Sequence, residues 1–145
     1  MYVHLVAHTH DDVGWLKSPE ELFVGARQTE EVKDKVKKFV QEGRLEFLNG
    51  GWSGNDEACP IFEDIIDNIM VGHAFLKKEF GVVPRVAWLV DSFGHSISNA
   101  RLYSEIGFDS LFIARLDNQD SEQRDRKKEL NYLWRPSKTH FGNRD

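Results

Sequence analysis

The clearest pattern along the chain is a short apolar run that leads into a polar cluster and then into a segment with helical spacing of apolar residues. Four of these runs are rich in β-branched, leucine and aromatic residues and show little alternation, which is typical of strands buried on both faces. They cover residues 3–7, 45–48, 86–90 and 110–114. The pattern predicts an α/β fold in which about four parallel strands alternate with helices.

End signals and apolar spacing predict helices between these strands. Ser18 and Glu21 flank Pro19 in a capping box that starts the first helix, and a glycine follows the last apolar position of each later one. The predicted helices cover residues 19–28, 30–42, 60–81 and 96–106. The first two follow each other without a strand pattern between them, which indicates either one long helix or the absence of a β-α unit.

The last part of the chain is more polar. Residues 117–128 are almost all charged or amide side chains, which predicts a solvated helix or a mobile loop. Leu130, Tyr132 and Trp134 alternate as in a short strand. The final residues have no recognisable period, so we predict one α/β domain over residues 1–137 and an unassigned tail over residues 138–145.

Size and charge narrow the classes of function. A chain of 145 residues with 40% hydrophobic content can form one compact domain. The formal net charge of -5 argues against nucleic acid or an anionic membrane as a partner. Cys59 is the only cysteine, so we expect no internal disulfide. No apolar run approaches the roughly 20 residues that span a bilayer, and residues 1–8 lack the features of a signal peptide.

Reactive side chains are concentrated in the loops after the predicted strands, where parallel α/β folds bind their ligands. The first strand leads into HTHDDVGW, in which His10 and Asp12 lie two positions apart. In an extended segment both side chains leave the same face, and a histidine nitrogen with a carboxylate oxygen suits Zn²⁺. Asp91, directly after the third strand, could supply a third ligand. Each of these residues could instead cap a helix or join a polar network.

Other polar and aromatic residues near these loops leave two interpretations open. Residues 55–57, which include Asp56, precede a predicted helix and therefore either cap it or contact a substrate. His95 fits a capping or supporting role better than metal ligation. Trp15 and Trp52 lie beside polar clusters, so each either stacks on a sugar ring or packs in the core.

Three motifs together resemble glycoside hydrolase family 38, and within it the lysosomal type of α-mannosidase. They are HTHDDVGWLK, GRLEFLNGGW with NDEA, and RVAWLVDSFGHS followed by RLDNQD, and they match the family in that order. The resemblance implies a parallel seven-stranded β/α barrel, incomplete in this chain. By position it implies that His10 and Asp12 bind Zn²⁺ and that Asp91 is both a zinc ligand and the catalytic nucleophile. It further implies that Trp15 stacks on the mannose ring. Asp56, from its position before a predicted helix, is our second candidate for a substrate-binding residue.

The resemblance implies a zinc-dependent retaining enzyme that removes terminal α-linked mannose from oligosaccharides or glycoproteins, in the lysosome or the secretory pathway. Such a mechanism needs a second carboxyl group about 5–5.5 Å from the nucleophile. The family places that group and a fourth zinc ligand beyond the last motif matched here, and it has a further strand where this chain passes from Gln28 to Glu30. Residues 140–145 no longer follow the family. We therefore expect little or no activity from this chain alone, and pairing with further domains or self-association.

Two other functions stay open on the sequence. A non-catalytic fragment would bind zinc or a mannose-containing oligosaccharide without turnover, and Asp91→Asn would then leave sugar affinity largely intact. An amidohydrolase-like metal hydrolase is suggested by the H-x-H spacing after the first strand. Enzymes of that type need further histidine ligands from later strand ends, and this sequence has only His95 and His140 to offer.

Overall fold

The computed structural model describes residues 29–135 of the chain. The strand predicted over residues 3–7 and the helix predicted over residues 19–28 lie outside this part. No helix among the described residues is both long and apolar enough to cross a membrane. The described elements, in chain order, are α1 (Glu30–Gln41), α2 (Phe62–Phe80), β1 (Val86–Leu89), α3 (Ile97–Ile106), β2 (Ser110–Ile113) and α4 (Asn118–Lys127).

Helix α1 begins at a cap of its own. Thr29 has extended backbone angles, and its hydroxyl oxygen accepts a hydrogen bond from Val32 N at 3.4 Å. Because a residue in the extended region ends a helix, α1 does not continue back through Thr29. The alternative of one long helix over both of the first two helical segments is therefore wrong, and the interpretation that a β-α unit is absent remains.

Strands β1 and β2 are parallel neighbours. Val86 lies opposite Ser110, and Leu89 lies opposite Ile113. Helix α3 connects the two strands, as a parallel pair requires. Their bounds confirm the strands predicted over residues 86–90 and 110–114 to within one residue at the carboxyl end of each. The two strands bring their carboxyl ends, and the loops that follow them, to the same side of the fold.

The hydrophobic core lies between this pair of strands and helices α2 and α3. Ile65, Ile69 and Leu76 are the buried apolar side chains of α2, and their spacing places them on one stripe of the helix. Burial of one large apolar side chain contributes about 1.5–3 kcal/mol, so this stripe is a principal source of stability for α2. The buried residues of the central cluster are Ile65, Ile69, Ala87, Leu89, Tyr103 and Phe108.

The strand predicted over residues 45–48 is not formed. A strand requires a ladder of backbone hydrogen bonds, whereas this segment joins β1 at its end, where Asn49 N donates to Val86 O at 2.8 Å. Aromatic packing contributes to holding the segment, since the rings of Phe47 and Phe80 have centroids 4.9 Å apart. Two strands are therefore present in the described part of the chain, and the seven-stranded barrel stays a prediction.

The polar region after β2 forms helix α4, which has no buried residue. Asp117 caps it, because its carboxylate accepts from the backbone N–H groups of Gln119 and Asp120 at 2.9 and 3.1 Å. This confirms the predicted solvated helix. Residues 130–134 do not form the short strand that the alternation of Leu130, Tyr132 and Trp134 predicted. The boundary proposed between residues 137 and 138 lies outside the described residues and stays a prediction.

The loop of residues 50–52 passes directly over α2 at Gly72. A Cβ atom at Gly72 would lie 2.1 Å from the carbonyl oxygen of Gly50, so glycine alone permits this approach. Asn68, one turn earlier in α2, forms two hydrogen bonds with the backbone of Ser53. Its Oδ1 accepts from Ser53 N at 2.9 Å, and its Nδ2 donates to Ser53 O at 2.8 Å. These contacts anchor the start of the loop that carries Asp56.

Candidate active site

Asp91 and Arg115 lie at the carboxyl ends of β1 and β2, each two residues beyond the last residue of its strand. Arg115 Nη2 donates to Asp91 Oδ1, and the two side chains form an ion pair. Both side chains are partly exposed to solvent. The residue predicted as the nucleophile therefore stands at an accessible strand end beside a cation, in the place where α/β folds bind their ligands.

Helix α3 is capped by Ser96. The Ser96 hydroxyl accepts from Asn99 N at 3.4 Å, and Ser96 has the extended backbone angles of a cap residue. The alternative in which Asp91 caps this helix is therefore wrong.

Glu57 and His95 form a partly buried pair beside this loop. Glu57 Oε1 lies 3.2 Å from His95 Nδ1, and Glu57 Oε2 accepts from Ser96 N at 2.6 Å. His95 Nε2 lies 3.0 Å from the carbonyl oxygen of Arg115. His95 therefore supports the neighbouring loops, which is one of the two roles that the sequence left open for it.

Asp56 is engaged in a local turn before α2. Its Oδ2 atom accepts from the backbone N–H groups of Ala58 and Cys59 at 3.2 and 2.8 Å. Hydrogen bonding from the Cys59 side chain and backbone lowers the pKa of Asp56, and the same carboxylate raises the pKa of the Cys59 thiol. This turn closes before α2 begins, and the cap residue of α2, Ile61, makes no side-chain hydrogen bond. The interpretation in which Asp56 caps the helix is therefore wrong, and its contact with substrate stays a prediction.

Asn55, the neighbour of Asp56, is tied to the core. The hydroxyl of Tyr103 donates to Asn55 Oδ1, and Asn55 Nδ2 donates to Asn99 Oδ1 at 3.3 Å. Tyr103 Oη also lies 3.4 Å from Asn49 Oδ1. Burial raises the pKa of Tyr103 well above its usual value. The loop over the strand ends is therefore fixed to α3 through a buried polar network.

The predicted metal ligands His10 and Asp12, and the predicted sugar platform Trp15, lie outside the described residues. Among residues 29–135, no three histidine, cysteine or acidic side chains lie close enough together to hold a metal ion. The described part thus contains one of the three predicted ligands, Asp91, whose carboxylate is a donor that Zn²⁺ accepts.

Trp52 is 63% exposed and meets the Phe75 ring edge-on, with centroids 6.0 Å apart. The alternative in which Trp52 packs in the core is therefore wrong. Its ring lies on the surface of α2, and a role in stacking on a sugar stays a prediction.

Two residues at the strand ends have no assigned role in the sequence prediction. Arg115 is the first residue of the motif RLDNQD and comes directly after the strand predicted over residues 110–114. That position is the sequence signal that could have identified it as a functional residue. Phe93 is 80% exposed, and the guanidinium carbon of Arg115 lies 5.5 Å from the centre of its ring. Hydrophobic residues are expected to be buried, so only the structure identifies Phe93 as an aromatic surface beside Asp91.

Comparison with known proteins agrees with the motifs. Residues 21–140 match the family described as Glycosyl hydrolases family 38 N-terminal domain. The chain is 41% identical to an alpha-mannosidase of Arabidopsis thaliana, over 94% of this chain and 18% of that protein. It is 35% identical to the lysosomal alpha-mannosidase of Dictyostelium discoideum over the same shares. Identity to the alpha-mannosidase of Canavalia ensiformis is 38%, over 97% of this chain and 18% of that protein.

The chain spans about a fifth of the length of these relatives, since 18% of each is matched. The match to the Arabidopsis protein extends over 179 positions, whereas 94% of a 145-residue chain is about 136 residues. About 43 positions of the match therefore have no residue of this chain, in agreement with the predicted absence of an internal segment. The family match covers most of the chain, and this protein accordingly belongs to glycosyl hydrolase family 38, with its residues in the N-terminal domain of that family.

Proposed function

We propose that this chain carries part of the active site of a zinc-dependent, retaining α-mannosidase. The observation that carries the proposal is the position of Asp91, at the accessible carboxyl end of β1 and paired with Arg115. The named relatives, which are α-mannosidases, support the choice of a terminal α-linked mannose as the substrate.

Asp91 serves as the nucleophile in this proposal. One carboxylate oxygen bonds to the anomeric carbon of mannose while the bond to the leaving oxygen breaks, and a second carboxyl group protonates that oxygen. Water then cleaves the mannosyl-enzyme ester, with the second carboxyl group acting as base. Arg115 orients the Asp91 carboxylate, and the exposed ring of Phe93 offers an apolar face to the sugar.

Zinc is the proposed metal, with His10, Asp12 and Asp91 as its ligands. The donor set of one imidazole nitrogen and carboxylate oxygens is of the kind that Zn²⁺ takes in hydrolytic enzymes. When bound, the ion would hold sugar hydroxyl groups and favour a distorted ring close to the oxocarbenium-like transition state. Within this arrangement, Arg115 orients the Asp91 carboxylate through their ion pair.

The partner that fits this chemistry is a mannose-containing oligosaccharide or glycoprotein. The lysosomal relatives support a location in the lysosome or the secretory pathway. Exposed apolar side chains on α2 support contact with other domains or with a second copy. Those side chains include Phe62, Met70, Val71 and Phe75.

Two measurements on the purified chain test the proposal. We expect near-stoichiometric zinc in the chelator-washed chain by elemental analysis, and its loss in His10→Ala. Hydrolysis of a chromogenic α-mannoside is then measured with and without added zinc. Absence of general acid–base catalysis commonly lowers a rate by about 10²–10⁴-fold, so we expect slow turnover, with Asp91→Asn removing what remains.

The alternative functions predict different results. A non-catalytic zinc- or sugar-binding fragment would bind mannose without turnover, and Asp91→Asn would keep that affinity. An amidohydrolase-like enzyme would cleave an amide and not an α-mannoside. A chain that binds neither zinc nor mannose would contradict the proposed function for these 145 residues.

A further inference from the structure

Three loops meet at one pair of side chains that are largely shielded from solvent. The side chains of Glu57 and His95 are only 5% and 13% exposed. Glu57 comes from the loop before α2, His95 comes from the loop between β1 and α3, and the carbonyl of Arg115 follows β2. Each of the three segments reaches the same edge of the strand pair. The pair therefore connects backbone segments that are far apart in sequence.

The hydrogen-bond partners fix the orientation of the imidazole ring. A backbone carbonyl can only accept, so His95 Nε2, 3.0 Å from Arg115 O, carries a hydrogen and donates it. The other ring nitrogen, Nδ1, faces Glu57 Oε1 at 3.2 Å. The other carboxylate oxygen of Glu57 is occupied by Ser96 N. Turning the ring over would lose both of its hydrogen bonds.

Breaking this arrangement would be costly. A largely buried polar group that loses its partner is left without compensation for the water it has given up. His95 therefore has one favoured position, and it transmits that position to Arg115 through the backbone. The Arg115 side chain, in turn, pairs with Asp91.

We propose that Glu57 and His95 are positioning residues for the strand-end site: Glu57 orients the imidazole, His95 holds the Arg115 backbone, and Arg115 holds the Asp91 carboxylate. Neither Glu57 nor His95 is required to touch a substrate. The inference depends on the proposed function only in that Asp91 acts there as the nucleophile. The positioning itself is a property of the folded chain and can be measured without zinc or mannose.

The test uses nitrogen NMR of the full 145-residue chain with labelled arginine. In the parent chain, Asp91→Asn removes a charged partner from Arg115, so the guanidinium resonances of Arg115 shift. This change is the Asp91-dependent shift. Arg126, in α4 and paired with Glu122, provides the internal control and stays unchanged.

Two substitutions of His95 then separate its two hydrogen bonds. In His95→Gln the side-chain amide can reach the carbonyl of Arg115, as Nε2 does. In His95→Asn the shorter amide can reach Glu57 but not Arg115. Both variants bury an amide of similar polarity, so general effects on folding are matched. We expect the Asp91-dependent shift to persist in His95→Gln and to be lost in His95→Asn.

Glu57 provides an independent variant. Glu57→Gln retains an acceptor for Ser96 N, and its amide can donate to His95 Nδ1, so the Asp91-dependent shift should be retained. Glu57→Ala should abolish it. The ring resonances of Tyr103, in the core, report whether each variant is folded.

An equal Asp91-dependent shift in folded His95→Asn and His95→Gln would overturn the proposal, as would its persistence in folded Glu57→Ala. If the shift follows the expected pattern while the chain neither binds zinc nor hydrolyses an α-mannoside, the positioning network stands and the proposed function fails. The two ideas can therefore fail separately.

Discussion

Arg115 and Asp91 join the carboxyl ends of β1 and β2, and a second ion pair joins the amino ends of the same strands. In that second pair Arg85 Nη2 lies 2.7 Å from Asp109 Oδ1. Both pairs bridge a cation and an acid that are 24 residues apart in sequence. All four side chains are partly or largely exposed, so each pair contributes at most about 1 kcal/mol to stability. The amino-end pair is therefore a matched control for the candidate active site.

The first prediction compares these two acids. Asp91→Asn should weaken zinc binding by at least about tenfold, since removal of even an indirect partner of a metal commonly has that effect. It should also abolish any hydrolysis of an α-mannoside. Asp109→Asn should leave both properties unchanged, and denaturant unfolding should show similar stability for the two variants. Equal loss of zinc in both variants would count against Asp91 as a ligand.

The second prediction concerns the close contact at Gly72. Gly72→Ala places a Cβ atom 2.1 Å from Gly50 O, a backbone atom that can move only with its loop. We expect a loss of about 1–3 kcal/mol or more in the free energy of unfolding, as for overpacked sites. Gly54→Ala is the control, because nothing lies within 4 Å of its added Cβ. Denaturant titration followed by circular dichroism measures both, and equal midpoints would contradict the described crossing.

The third prediction concerns the buried hydroxyl of Tyr103. Tyr103→Phe removes its hydrogen bond to Asn55 and should lower stability by about 0.5–1.5 kcal/mol. Tyr132→Phe, on the surface, should change stability little. Thermal unfolding of the three proteins at one pH gives the comparison, and a larger effect at Tyr132 would be inconsistent with the network.

Tyr103 also predicts a response to alkaline pH. Burial raises its pKa in the folded state above the unfolded value, which is about 10. The folded chain therefore retains this proton more tightly than the unfolded chain does, and the resulting stability is present below pH 10 and is lost as pH rises above it. Stability of the parent chain should fall more steeply above about pH 10 than that of Tyr103→Phe.

The fourth prediction concerns the reactivity of Cys59. The hydrogen bond and the negative charge of Asp56 raise the pKa of the thiol, and the thiolate is the reactive form. Asp56→Asn should lower that pKa and so increase the rate of alkylation by iodoacetamide at mildly alkaline pH. Asp125→Asn, in α4, should leave the rate unchanged. A slower reaction in Asp56→Asn would exclude the described turn in solution.

Much of the local structure follows from the sequence. The helices α2 and α3 end at Gly81 and Gly107, both with positive φ, as the position of these glycines predicts. The strands β1 and β2 are also predicted to within one residue at the carboxyl end of each. These elements depend on the spacing of apolar residues and on caps close in sequence, and such signals can be read without knowledge of distant contacts.

The strand predicted over residues 45–48 illustrates the limit of that reading. An apolar run predicts that a segment is buried, but a strand also needs a partner with free backbone groups along its length. The structure provides such a contact at Asn49, where the segment ends. The composition of a segment does not reveal how many backbone hydrogen bonds an adjacent strand will form with it.

In the candidate site, too, some features follow from local sequence and others only from tertiary contacts. The sequence by itself determined the family and the presence of Asp91 after a strand, because a motif and an apolar run are both local in the chain. Only the tertiary structure brought Asp91 to Arg115 and Glu57 to His95, residues that are 24 and 38 positions apart. Charge pairing and hydrogen bonding act over a few ångströms. Which polar residues come within that distance is decided by the register of the strands and the packing of the helices.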